Sequence, residues 1–156
     1  MWDFNEQDES RLLDMLFRIS GMSEQPRQDD YQLVTSCLHH PRSEIRERAI
    51  LIGGLRWKDQ TVLGYFQGAL VGGREPDDEN RRLMIECLVA QSVAQEDDPE
   101  GLVAFLRRLS FDLPRASMTC KAAFAGVERL RGRMDAQAYA SLDYDQLQLG
   151  NARLLS

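Results

Sequence analysis

The residues of this 156-residue chain whose types allow nucleophilic or metal chemistry come closest together at Cys37, His39 and His40. A catalytic dyad or a zinc site needs thiol and imidazole groups that converge on one point. Neighbouring residues on a helix point about 100° apart, so the two histidines do not converge. Cys37, Cys87 and Cys120 each lie in an apolar stretch and are expected to be buried thiols. We therefore predict no catalytic residue and no metal ligand.

The sequence also lacks the motifs that mark common enzyme classes. It contains no G-x-S-x-G elbow, no Walker loop and no H-E-x-x-H helix. Two glycine pairs, Gly53-Gly54 and Gly72-Gly73, are compatible with phosphate loops, but both lie near predicted helix C-termini, where glycine commonly caps a helix. We interpret them as caps, predict no cofactor and regard the chain as a non-enzyme.

Two acidic runs stand at predicted helix starts, over residues 75–79 and 96–100. Neither has the alternating ligand spacing of a calcium loop. Acids at a helix start favour the positive end of the helix dipole, and this explanation covers both runs. The first run has more acids than capping needs, which leaves open an acidic edge that meets a basic partner. The candidate partner-binding acids are Glu75, Asp77, Asp78, Glu79 and Glu86.

This hypothesis has a consequence for stability. If Glu75, Asp77 and Asp78 face a partner, replacing all three by serine should slow association and leave the thermal midpoint nearly unchanged.

Trp57 is a further candidate partner-binding residue. It follows a predicted helix end and lies between Arg56 and Lys58, in a turn where full burial is difficult. Tryptophan beside arginine is typical of an interface hot spot. A wedge packed between helix pairs is the alternative.

Charge argues against nucleic acid as the partner. The net charge is −6, and acids and bases alternate in blocks, with −6 over residues 73–101 and +5 over residues 102–134. An acidic chain repels phosphates over most of its field. The basic block is the exception, and we expect solvated helix faces and ion pairs there. Its members are Arg107, Arg108, Arg115, Lys121, Arg129, Arg131 and Arg133.

Proline spacing indicates a repeated helical unit. Pro41, Pro76 and Pro114 each open a predicted second helix, at intervals of 35 and 38 residues. The preceding helices align at an offset of 39 residues, with an acid followed by apolar residues at helical spacing. The aligned residues are Asp59, Leu63, Phe66 and Leu70 with Asp98, Leu102, Phe105 and Leu109. Such a period predicts stacked helix pairs.

The pattern of residues 27–133 resembles HEAT-type helical repeats, whose second helix often begins with proline, then an aliphatic residue and an arginine. His40-Pro41, Ile45, Arg46 and Ala49 match best, and Arg81 has the position of Arg46 in the next unit. The turn aspartate that many such repeats pair with the arginine of a neighbouring repeat is replaced here by His40 and Glu75. Thr119 takes the place of the third arginine. A ladder of Asp–Arg pairs between helices is therefore not expected.

The resemblance implies an all-α fold in one domain, a short right-handed α-solenoid of three HEAT-like helix pairs. Residues 7–20 form a capping helix that ends at Gly21, and residues 135–156 form a packed tail with a short helix. No apolar stretch is long enough to span a bilayer and the start lacks a secretory signal, so we expect a cytoplasmic protein. The predicted helices of the three pairs are 27–40 with 42–56, 59–72 with 77–94, and 99–110 with 115–133.

We predict a non-enzymatic scaffold that binds one protein partner, basic at the contact, through an acidic surface. By size, charge and architecture it resembles bacterial toxin immunity proteins, which occlude a cognate toxin. An adaptor or assembly factor fits the same properties. The competing class is a nucleic-acid-acting module of the HEAT-like glycosylase type. The oligomeric state does not follow from the sequence.

Overall fold

A computed structural model describes residues 6–149 of the chain. Within this range there are eight α-helices, one π-helical segment and no β-strand. The all-helical prediction is confirmed. The elements are α1 (Glu6–Gly21), α2 (Gln28–Cys37), α3 (Ser43–Ile50), the π-helical segment Leu51–Arg56, α4 (Gln60–Val71), α5 (Asp78–Gln95), α6 (Glu100–Phe111), α7 (Met118–Leu130) and α8 (Ala136–Ala140).

Helix α5 lies at the centre of the packing. It contacts α3, the π-helical segment, α4, α6 and α7, whereas α1 and α2 pack against α3. One apolar core runs through these contacts, with Leu16, Ile45, Phe66, Ile85 and Leu106 fully buried. Of the apolar residues aligned in the sequence, Leu63 and Phe66 are buried, while Leu102 and Phe105 are partly buried against the same core.

Side-chain caps fix where several helices begin. Asp59 accepts a hydrogen bond from the Val62 amide at 2.9 Å, and Ser117 accepts one from the Cys120 amide at 3.1 Å. These bonds satisfy backbone donors that a first helical turn leaves open. The prolines predicted to lie in the first turn stand earlier, because α3 and α5 each begin two residues after their proline.

The helix predicted over residues 42–56 is interrupted, which the sequence did not predict. Residues Leu51–Arg56 form a π-helical segment, closed by a bond from the Trp57 amide to the Ile52 carbonyl at 2.9 Å. Gly53 and Gly54 lie inside this segment and are buried, so the prediction that they cap a helix is wrong. A Cβ on Gly54 would overlap a Phe66 ring carbon, so glycine allows this close approach.

The second glycine pair does end a helix. Gly72 is the C-cap of α4, and Gly73 has a left-handed φ of 64°, which glycine adopts at little cost.

The tail contains the short helix α8, and its described remainder packs on the core through Tyr144, Leu142 and Leu147, while Leu149 is buried. The predicted tail residues Leu154 and Leu155 lie outside the described residues.

Candidate functional site: an acidic groove beside helix α5

The acidic run over residues 75–79 divides into residues that build the fold and one that faces solvent. Glu75 is only 2% exposed, and its carboxylate accepts bonds from Nε and Nη2 of Arg46 at 2.9 and 2.8 Å. The Asp77 amide also donates to Glu75, at 3.0 Å. Since the carboxylate is buried and occupied, we do not retain Glu75 as a partner contact.

Arg46 on α3 and Arg81 on α5 make equivalent contacts with backbone carbonyls. Arg46 donates through Nη1 to the carbonyls of His40 and Pro41, at 2.8 and 2.7 Å. Arg81 donates through Nη1 to the carbonyls of Glu75 and Pro76, at 2.8 and 3.1 Å. Each arginine therefore clamps the proline-containing turn that precedes its own helix.

The same two arginines also bind side chains that lie further along the chain. Arg46 pairs with Glu75, 29 residues further on, and Arg81 donates from Nε to the Thr119 hydroxyl at 2.9 Å. Arginine contacts therefore connect α3 with the turn before α5, and α5 with α7, with Glu75 and Thr119 as the acceptors. The sequence did not predict a ladder of Asp–Arg pairs, and these contacts do not form one.

Asp77 and Asp78 are largely engaged at helix starts. Asp77 caps α5 by accepting from the Asn80 amide at 2.9 Å. Asp78 accepts from the amides of Met118 and Thr119, at 2.7 and 3.0 Å, and so joins α5 to the start of α7. These bonds account for both side chains within the fold, which weakens their candidacy as partner contacts.

The remaining predicted acids, Glu79 and Glu86, come together in one groove. Arg82 lies between them on α5 and donates to Glu79 at 2.8 Å and to Glu86 at 2.7 Å. The guanidinium also lies 5.2 Å from the centre of the Tyr144 ring, and the Tyr144 hydroxyl donates to Glu86 at 3.0 Å. Sequence reasoning missed Arg82, although its spacing of three and four residues from the two glutamates is a recognisable helical ion-pair pattern.

We name this depression the α5 groove. It has a volume of about 680 Å³. The tail forms one wall, held by a bond from the Lys121 ammonium to the Tyr144 carbonyl at 2.7 Å. The lining residues are Leu55 from the π-helical segment, Glu79, Arg82, Glu86 and Ala90 from α5, Met118 from α7, and residues 139–145.

Two tyrosines of the tail lie beneath this wall. Burial raises the pKa of Tyr139 and of Tyr144, and the nearby Glu86 carboxylate raises both further. Both phenols are therefore neutral around pH 7. They contribute ring surface and, in Tyr144, a hydrogen-bond donor.

The groove combines charge with exposed apolar surface. Leu55 is 47% exposed, and it lines the groove with Ala90, Met118 and Leu142. Four acids face a single arginine there, because Asp143 and Asp145 add to Glu79 and Glu86. A groove of this kind suits a ligand that is cationic and partly aliphatic.

Trp57 lies in a different depression. It is partly buried and stacks on Tyr31, with ring centres 6.1 Å apart and planes inclined by 18°. Tyr31 donates to Asp59 at 3.2 Å, and the Arg56 guanidinium donates to the Met22 carbonyl. Trp57 thus contacts the linker side of the molecule, and the structure does not bring it into the α5 groove.

The cysteines and histidines do not form a reactive cluster in the described part of the chain. All three thiols are free and buried, as predicted, and burial raises the pKa of Cys37 to about 11 and that of Cys87 to about 12. His40 is buried, its Nδ1 accepts from the Arg42 amide, and burial lowers its pKa. Between residues 6 and 149, no three His, Cys, Asp or Glu side chains are placed to hold a metal ion.

Several bases of the 102–134 block are paired within the chain, as the sequence suggested. Arg133 lies 3.0 Å from Glu128, Arg131 lies 3.6 Å from Glu100, and Lys121 binds the tail.

No family model, no curated protein and no solved structure matches this chain. None of the helices between residues 6 and 149 is both long and apolar enough to cross a membrane.

Proposed function

We propose that the chain is a non-enzymatic protein-binding module, built as a short solenoid of three HEAT-like helix pairs with α1 as its cap. The equivalent contacts of Arg46 and Arg81 with their proline-containing turns support the repeat. The contacts of α5 with both α3 and α7 agree with stacking of the second helices. Such stacking exposes long surfaces that suit macromolecular partners.

The observation that carries this proposal is the α5 groove. It is an open depression with four acids, one arginine and an exposed leucine. Burial of Leu55 by a partner supplies apolar contact, and the acids select a basic surface and accelerate its approach. Within this class we favour an immunity protein that occludes a basic toxin surface. An adaptor within a larger complex uses the same groove.

The proposal is tested by purifying the tagged protein from its native host and identifying stoichiometric partners by mass spectrometry. A double charge reversal in the groove, Glu79→Lys with Asp143→Lys, should abolish recovery of the partner. Asp14→Lys with Asp112→Lys makes the same charge change at exposed residues outside the groove, and should retain the partner. Thermal unfolding of both variants checks that the fold is intact.

Other outcomes contradict the proposal. Recovery of nucleic acid instead of protein, with retention on DNA that falls steeply as salt rises, favours the glycosylase-type alternative. Equal loss of the partner in both double variants places the interface elsewhere.

A toxin gene next to the gene for this chain supports the immunity role within the protein-binding class.

A further inference from the structure

The α5 groove carries a more specific inference, which rests on the proposed function. We propose that the groove receives an arginine side chain of a protein partner, with an aliphatic side chain next to it in the partner's sequence.

Two carboxylates at the rim of the α5 groove have no cationic partner among the described residues. Arg82 pairs with Glu79 and Glu86, but Asp143 and Asp145 make no ion pair with any residue between 6 and 149. Asp143 only accepts backbone bonds, from the amides of Asp145 and Gln146. Both aspartates are exposed at the rim of the groove. A cation at this rim therefore meets carboxylates that no described cation neutralises.

The surroundings of Arg82 in the groove favour a guanidinium over an ammonium group. Arg82 already shows how a guanidinium fits here, since its fork bridges two carboxylates while its central carbon lies 5.2 Å from the centre of the Tyr144 ring. Carboxylate edges next to an aromatic face favour the planar, weakly hydrated guanidinium over the compact, strongly hydrated ammonium of lysine. At the rim, Asp143 and Asp145 flank Tyr144 in the sequence, which places two carboxylates beside the residue that Arg82 already contacts.

An apolar strip lies beside these acids in the groove. Leu55, Met118 and Leu142 line the same groove, and Leu55 is exposed because the π-helical segment holds it outward. An aliphatic neighbour of the bound arginine covers this strip, and the methylene stem of the arginine adds to the contact. This combination selects an arginine–aliphatic pair over an isolated cation.

The probe is a capped tetrapeptide, Ac-Gly-Leu-Arg-Gly-NH₂, titrated into the full-length ¹⁵N-labelled protein and followed by amide chemical shifts. Two further peptides replace arginine by lysine or by citrulline, which keeps the shape but not the charge. We expect saturable shifts concentrated at Leu55, Glu79, Glu86 and Asp143. The arginine peptide should bind roughly twofold or more tightly than the lysine peptide, and the citrulline peptide should not bind measurably.

A matched pair of variants locates the site. Asp143→Asn with Asp145→Asn removes the two charges, while the amide side chains that replace the carboxylates keep a carbonyl acceptor. This variant should abolish saturable binding. Asp14→Asn with Asp112→Asn removes two charges elsewhere and should leave the binding constant unchanged. Undisturbed amide spectra of the free variants verify the fold.

The inference is overturned if arginine and lysine peptides bind equally, if the shifts spread over the acidic surface, or if they persist in the variant that lacks the Asp143 and Asp145 carboxylates. Such titration results contradict only the arginine site. The proposed function still stands if the Glu79→Lys, Asp143→Lys variant fails to recover the native partner. Conversely, specific peptide binding without any stoichiometric partner from the host supports the site and contradicts the proposed function.

Discussion

The ion pair between Arg46 and Glu75 is shielded from water on both sides, with side chains 9% and 2% exposed. Neither group has solvent to replace its partner, so losing one partner leaves a buried charge. Arg46 also binds two backbone carbonyls, which fixes the turn before α3. This pair therefore contributes to the positions of α3 and α5 and has no surface to offer a ligand.

Glu75→Gln should lower the free energy of unfolding by about 3 kcal/mol, because the amide cannot balance the buried guanidinium. Urea denaturation followed by circular dichroism measures the change. Glu79→Gln is the matched control, since the Glu79 side chain is 55% exposed, and it should change stability by no more than about 0.5 kcal/mol. Equal effects of the two substitutions contradict the structural role of Glu75. By the same reasoning, the Glu75, Asp77 and Asp78 serine variant should lose much of its thermal stability.

Asp78 gives the fold a pH dependence at acid pH. Partial burial by itself raises the pKa of its carboxyl, but hydrogen bonds from Thr119, from the Met118 amide and from Arg81 outweigh burial and hold the pKa below 3.8. The ionised group therefore stabilises the folded state above about pH 4, and this stabilisation is lost as the pH falls through the folded pKa.

Asp78→Asn should consequently destabilise the protein most at neutral pH, and its difference from the wild type should shrink below about pH 4. Urea midpoints measured at a series of pH values test this. A difference that stays constant down to strongly acid pH shows that the charge of Asp78 has no part in holding α5 to α7.

Among the elements, the six-residue π-helical segment contributes to both surface depressions. It holds Leu55 at the α5 groove and ends just before Trp57, which lines the other depression. Its buried face packs Gly54 against the side chains of Phe66 and Cys87. The extra residue in this turn thus allows close packing inside and exposes Leu55 outside.

Gly54→Ala should destabilise the protein by about 1–3 kcal/mol, since its Cβ would overlap the Phe66 ring and lie 2.9 Å from the Cys87 sulfur. Thermal and urea unfolding measure the cost. Gly64→Ala on the exposed face of α4 meets no atom within 4 Å and should stabilise the protein by about 0.5–1 kcal/mol. Two effects of the same sign contradict the packing argument.

Helix positions follow from local sequence signals, whereas the π-helical segment and the role of Glu75 do not. Apolar periodicity and caps such as Asp59 and Asp77 place the helices within a few residues of their observed bounds. The π-helical turn depends on contacts between Gly54 and α4, which sequence spacing does not contain. Glu75 looks like one more solvated acid in a charged run, because its partner Arg46 lies 29 residues earlier. Glu86 and Glu79 are the predicted site residues that the structure brings together.

Over residues 6–149, neighbouring helices are joined by polar bridges as well as by the apolar core. Arg46 on α3 binds Glu75 in the turn before α5, and Arg81 and Asp78 bind Thr119 on α7. Helix α5 takes part in both junctions, whereas α8 contacts α7 and has no buried residue. The array should therefore unfold as one cooperative unit with α8 opening separately.

Native-state hydrogen exchange measures this coupling residue by residue. Amides of α5 and α7 should exchange only through global unfolding, and those of α8 should exchange faster through local opening. In Glu75→Gln, protection should fall by the same free energy in α3, α5 and α7, because a coupled array shares the loss. If the helix pairs are energetically independent, only α2 and α3 lose protection while α7 keeps its wild-type rates, as in a repeat array with weak interfaces. The Glu79→Gln variant should leave all these rates unchanged, which separates the effect of the buried pair from that of a lost charge.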